Sequence, residues 1–216
     1  MIPHGPEKWP PVFRQGPCGA EKMKILRTAD YKRMPWKNGK GETVEIAVFP
    51  PGASVAHFDW RISMATVAED GPFSIFQEID RTLSILSGEG IELLVAGQEP
   101  AILRQETLPH AFAADVATSA RLLEDTVVDL NVMTRRGRFT HKVSRLSIEN
   151  EVSIIAASVV TVVFVAGQWQ CGPEELSDRN AVLLEQGETG VFKAAEPANS
   201  LLLIEIQPCE AALYRA

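Results

Sequence analysis

Three cysteines in 216 residues, Cys18, Cys171 and Cys209, are too few and too widely spaced for a disulfide framework or a Cys-x-x-Cys redox pair. A reducing, cytoplasmic compartment is the expectation that follows. Basic charge is scarce as well: 21 Lys and Arg against 28 Asp and Glu leave a formal net charge of -7. No basic stripe with interleaved aromatics offers a nucleic-acid footprint, and Arg135-Arg136-Gly137-Arg138 reads as a solvated turn. The longest apolar run, Val152 to Ala166, falls short of the roughly 20 residues of a membrane helix and is rich in β-branched residues. It reads as one or two buried strands. The histidines are His4, His57, His110 and His141, and no His-x-His pair puts two imidazoles on one strand face, so neither a metal nor a cofactor is expected. No Ser or Cys nucleophile stands beside an identifiable histidine base, which argues against triad hydrolysis. Gly39-x-Gly41 and Gly88-x-Gly90 precede no convincing helix and read as β turns, not nucleotide cradles.

Helical periodicity is weak everywhere, while short runs rich in Val, Ile, Leu, Phe and Thr recur with Gly and Pro between them. The chain therefore reads as all-β, a sandwich or barrel. Residues 1–22 differ: Pro3, Pro6, Pro10, Pro11 and Pro17 accompany no apolar segment, so this stretch is expected to be a disordered extension, with Met23 as the natural start of the chain. A faint internal repeat runs through the rest. Leu83-Ser84-Ile85-Leu86 parallels Val162-Val163-Phe164-Val165, Ala101-Ile102-Leu103 with Phe112 parallels Ala181-Val182-Leu183 with Phe192, and Val127 to Asn131 parallels Leu201 to Glu205. Two related units are expected, residues 23–139 and a smaller 140–216, with Thr140 to Val152 joining them.

Alternation locates the chemistry. In Phe58-Asp59-Trp60-Arg61-Ile62-Ser63, one face carries Phe58, Trp60 and Ile62 and the other Asp59, Arg61 and Ser63. Thr43, Glu45 and Ala47 oppose Val44, Ile46 and Val48, and Asp129, Asn131 and Met133 oppose Leu130, Val132 and Thr134. If the polar faces converge inside a barrel they line a pocket for a small polar ligand; otherwise they face water. Arg61 offers a planar donor fork for a carboxylate, or pairs internally with Asp59, Glu45 or Asp129. Trp60 is expected between sheets. Trp36 suits a core plug as well as a ligand platform, and Asn38 a turn cap as well as a ligand amide. In the second unit the repeat strands are nearly apolar, as in Leu201-Leu202-Leu203-Ile204, and the polar candidates all lie before Arg136, so the site is expected in the first.

Five ordered motifs carry a resemblance: Pro35-Trp36-Lys37-Asn38-Gly39-Lys40-Gly41-Glu42-Thr43-Val44-Glu45-Ile46, Phe58 to Ser63, Asp70-Gly71-Pro72-Phe73-Ser74, Asp80-Arg81 with Ser87-Gly88-Glu89-Gly90, and Val128 to Gly137. From Met23 to about Pro208 the chain resembles the HutD/Ves proteins. Lys40 departs from their pattern, standing where a glycine is usual. The resemblance implies a single-chain bicupin, two double-stranded β-helix jelly-roll barrels, acting as a cytoplasmic accessory of histidine utilisation. It implies a small carboxylated metabolite as partner, formylglutamate or formiminoglutamate, held near Trp36, Asn38, Glu45, Arg61, Asp129 and Asn131. It implies no catalytic residue. A metal-free isomerase or lyase using carboxylates such as Glu45 and Asp129 is the alternative, and a scaffold for pathway enzymes a third. Exposed sheet edges would suit a homodimer.

Overall fold

A computed structural model describes residues 23–36, 41–196 and 199–209, which form nineteen strands and one 3-10 turn, Thr28–Asp30. The expected extension at residues 1–22, Asn38 and Lys40 lie outside the described residues. The strands assemble into two barrels, each made of one large and one small antiparallel sheet. In the first, the large sheet runs Lys32–Pro35, Gly41–Phe49, Trp60–Val67, Val127–Arg135, Ile79–Ser87, His110–Ala113, and Gly71–Pro72, Thr118–Leu122, Ile91–Val95 and Ala101–Leu103 close it. In the second, Lys24–Leu26, Ala181–Glu185, Val160–Ala166, Asn199–Pro208 and Phe139–Ile148 face Glu151–Ile155, Thr189–Ala194, Trp169–Cys171 and Glu174–Leu176. The apolar run from Val152 to Ala166 thus enters two strands, of which Val160–Ala166 is buried as expected while Glu151–Ile155 is largely exposed.

Period-two alternation decides what each face of the first large sheet meets. Trp60, Ile62, Met64, Leu130 and Val132 turn outward from the first barrel onto Val162, Phe164, Leu202, Ile204 and Ile206 of the second, and the two large sheets share this core. Trp60 therefore packs between sheets, fully buried, with its ring stacked on Phe49 at 5.9 Å. The opposite face turns into the first barrel, where Leu83, Ile85, Leu93, Leu103, Phe112 and Val127 form a separate core. The interior of the second barrel is mostly apolar, with Val163, Val165, Trp169, Cys171, Leu184, Phe192 and Leu201, and buried Thr161 on the same strand face as Val163.

Three expectations are corrected. A β-bulge between Glu45 and Ala47 inverts the alternation, so Ala47 and Phe49 join Val44 and Ile46 on the inter-barrel face while Val48 turns the other way. Phe58 precedes its strand and packs with Ile79, Ala114 and Met133, not with Trp60. Thr140 to Val152 is no connector: Phe139–Ile148 pairs along its whole length with Asn199–Pro208 in the second large sheet. The repeat is only partly structural. Leu83 to Leu86 and Val162 to Val165 hold equivalent places in the large sheets, as do Val127 to Asn131 and Leu201 to Glu205, but Ala101–Leu103 lies in a small sheet and Ala181–Glu185 in a large one. At the other end of the chain, Lys24–Leu26 pairs with Ala181–Glu185 of the second barrel.

Candidate functional site

The polar faces converge inside the first barrel. Ladder register sets them out in rows: Glu45 opposite Ser63 and Asn131, then Arg61, Met133 and Arg81 side by side, with Asp129 two residues beyond Asn131 on the same face. Arg61 is 3 % exposed and Asp129 1 %. The bulge lets Glu45 reach past its own row, and Arg61 Nε donates to Glu45 Oε2 at 2.7 Å in a buried ion pair. Of the three internal partners open to Arg61, Glu45 is the one that takes it. Asp59 instead accepts from Arg138 Nη1 at 2.7 Å, with Arg135 4.0 Å away. Asn131 Nδ2 donates to Asp129 Oδ1 at 2.6 Å.

Arg81 is the second buried cation of this lumen. Its guanidinium carbon lies 5.3 Å from the ring centres of Phe73 and Phe76 and 5.7 Å from that of Phe112, a three-sided aromatic cage in which the cation meets the negative ring faces. Nη2 donates to the Ser74 carbonyl at 3.3 Å. Burial brings the Arg81 pKa down to about 10, Asp129 opposing and Arg61 reinforcing that shift. Burial pushes the Asp129 carboxyl up to about 7 against the pull of Arg81 and Asn131. Beside Leu83, on the same face, stands His110.

Four buried polar atoms of this lumen have no hydrogen-bond partner among the described residues: Arg61 Nη2, Arg81 Nε, Asp129 Oδ2 and His110 Nε2. The other such atoms, on Trp60, Arg145 and Thr161, belong to the inter-barrel core or to strands of the second barrel. Leaving such a group unpaired costs about 1–3 kcal/mol, more when it is charged, so four facing one interior amount to a site wanting a polar occupant. Their mixture of donors and a carboxylate oxygen suits a small molecule with a carboxylate or carbonyl group.

Trp36 stands apart from these groups. It is half-buried, donates from Nε1 to Thr43 Oγ1 at 2.9 Å, and lies over Gly41, where a Cβ would meet its ring and the Thr66 carbonyl. His57 is exposed in a turn, 3.5 Å from Ser54 Oγ, rather than on the face of Arg61. His141 is held between Thr134 Oγ1 at 2.7 Å and Thr82 Oγ1 at 2.9 Å. Among the described residues no cluster of three or more His, Cys, Asp and Glu could hold a metal ion. A cleft of about 680 Å3 opens beside Phe58, Phe76 and Ile79, rimmed by Asp59, Glu78, Arg135 and Arg138. A second, of about 370 Å3, reaches Arg81 and Phe112.

His110 carries no sequence signal of its own, and Arg81 only its place in the Asp80-Arg81 motif of the family resemblance. The phase of Ile79-Asp80-Arg81-Thr82-Leu83 would place Arg81 with the apolar interior residues only if the strand were known to begin at Ile79. His110 enters the lumen only because its short edge strand pairs with Leu83.

Comparison with known proteins agrees with this architecture. The chain is 34% identical to the protein Ves of Citrobacter koseri over 182 residues, 82% of this chain and 92% of that one. The structure of HutD from Pseudomonas fluorescens SBW25, in a formate condition, superposes with a TM-score of 0.73 at 27% identity, covering 87% of this chain and all of that one. A cupin 2 conserved barrel domain protein from Leptotrichia buccalis superposes with a TM-score of 0.54 at 12% identity over 84% of this chain and all of that one, a likeness of cupin fold alone. The profile of the HutD family matches residues 28–202, and the chain belongs to that family.

Proposed function

We propose that this protein is a cytoplasmic, non-catalytic accessory protein that binds a small carboxylate or formyl metabolite of histidine catabolism, such as formylglutamate or formiminoglutamate, in the lumen of its first barrel. The observation that carries the reading is the convergence there of unpartnered atoms from Arg61, Arg81, Asp129 and His110. A carboxylate would take the free guanidinium edges, which are planar donor forks. Glu45 holds Arg61 in place from one side. Asn131 fixes Asp129 Oδ1 and leaves Oδ2 to the ligand. Trp36, which stands apart from these groups, and Asn38, which lies outside the described residues, enter this reading through the family motif alone.

Isothermal calorimetry against formylglutamate, formiminoglutamate, urocanate, glutamate and formate tests the reading. Saturable binding that Arg61→Ala abolishes is the expected result. Silence across the panel would move the assignment to a protein partner. One observation favours an isomerase or lyase as second reading: a buried carboxyl titrating near 7, as Asp129 does, suits a general acid or base. Turnover of a bound compound, followed by NMR and lost in Asp129→Asn, would decide for it.

A further inference from the structure

We infer that the first barrel takes up a carboxylate together with a proton, shared between the bound carboxylate and Asp129 Oδ2, while the free edges of Arg61 and Arg81 receive the negative charge. The inference rests on the binding reading above and narrows it to a ligand class and a mode of control.

The charges of the lumen can be counted element by element. Trp60–Val67 contributes Arg61, and Gly41–Phe49 contributes Glu45, which closes on Arg61 as a pair. Ile79–Ser87 contributes Arg81 and Val127–Arg135 contributes Asp129, on neighbouring strands of the large sheet and each felt electrostatically by the other. His110–Ala113 contributes His110. The small sheet presents Ile91, Leu93, Val95, Leu103 and Ala120 to the same interior and adds no charge. With both carboxylates ionised the four charges cancel. An added carboxylate would then carry an unbalanced negative charge among buried groups.

The hydrogen bonds lead to the same result. Asn131 occupies Asp129 Oδ1, so Oδ2 is the oxygen free to meet a ligand. An ionised carboxylate only accepts, and two of them at contact repel; sharing a site, they hold one proton between them. Protonated, Oδ2 donates to the ligand and the lumen returns to neutrality. Burial already prepares Asp129 for this, since its carboxyl is pushed up to about 7 before any ligand arrives. A neutral carbonyl ligand needs no such proton.

The test is calorimetry of formate binding in buffers of different ionisation enthalpy, with formamide as neutral counterpart. From the linkage relation, proton uptake should be near zero at about pH 6 and approach about one per formate at about pH 9, with affinity falling about tenfold per pH unit above 7. Asp129→Asn should bind formate with no proton uptake and no pH dependence, because its amide replaces the donated O–H, and His110→Gln should keep the uptake. Formate bound with no uptake in the wild-type protein would overturn the inference and leave the binding reading standing. Uptake that survives Asp129→Asn or disappears in His110→Gln would do the same. If no carboxylate binds at all, both fall.

Discussion

Asp129 is buried and His141 half-buried, and each moves stability with pH in a direction opposite to the other. Burial depresses the His141 pKa from 6.5 to about 4, so the unfolded chain binds the proton first and stability is lost as pH falls from 6.5 toward 4. Asp129 is raised from 3.8 to about 7. Its folded form holds the proton longer, so its contribution grows over much of that same descent and is lost as pH rises toward 7. Each slope is at most about 1.4 kcal/mol per pH unit, and between about 4 and 6.5 the two oppose each other, leaving a flat profile. Single substitutions unmask them. Asp129→Asn should lose stability as pH drops through that window, and His141→Gln should gain it, in urea unfolding measured at half-unit steps. Parallel profiles for the two variants would contradict the assignment.

At the scale of elements, the turns hold positions that admit no side chain. Gly90 has φ +111° and precedes Ile91–Val95; a Cβ there would collide with the Leu103 carbonyl of the neighbouring strand. Gly90→Ala should cost at least about 2 kcal/mol, from strain together with displacement of Ala101–Leu103. The expected sign is a melting temperature lower by about 4–8 °C, and an unchanged melt would mean that the turn relaxes freely. Strands such as Val127–Arg135 were legible in the sequence because alternation runs through them unbroken, which put Asp129 and Asn131 opposite Leu130 and Val132. Gly41–Phe49 was not, because its bulge adds a residue that no propensity announces and reverses the phase after Ile46. Phe58 misled for a related reason: period two was extended one turn beyond the strand. Ala101-Ile102-Leu103 resembles Ala181-Val182-Leu183 because any apolar strand triplet resembles another, whichever sheet it enters. The site was legible where a polar residue interrupts a strong pattern, as Arg61 does between Trp60 and Ile62. It was opaque at Arg81 and His110, whose neighbours come from strand pairing.

For the whole molecule, the shared core decides how the barrels fail. Val162, Phe164, Leu202 and Ile204 bury one face of the second large sheet against Trp60, Ile62, Leu130 and Val132 of the first, so neither sheet can lose its partner without exposing that face. Lys24–Leu26 begins the described chain inside the second barrel's sheet before the backbone enters the first, and Phe139–Ile148 leaves the first barrel directly into the second. Both ends of the first barrel are thus tied to its neighbour, which lends an apolar support to the sheet carrying Arg61 and Asp129. Phe164→Ala, at a buried position of the second barrel, should cost about 3–5 kcal/mol, on the order of 10 °C in melting temperature. The loss should appear as one shifted calorimetric transition, with near-UV and far-UV signals still coincident and with formate affinity measured well below the melt unchanged. A split transition, with the ligand protecting only the upper part, would show that the barrels fold independently and that the second contributes nothing to the rigidity of the site.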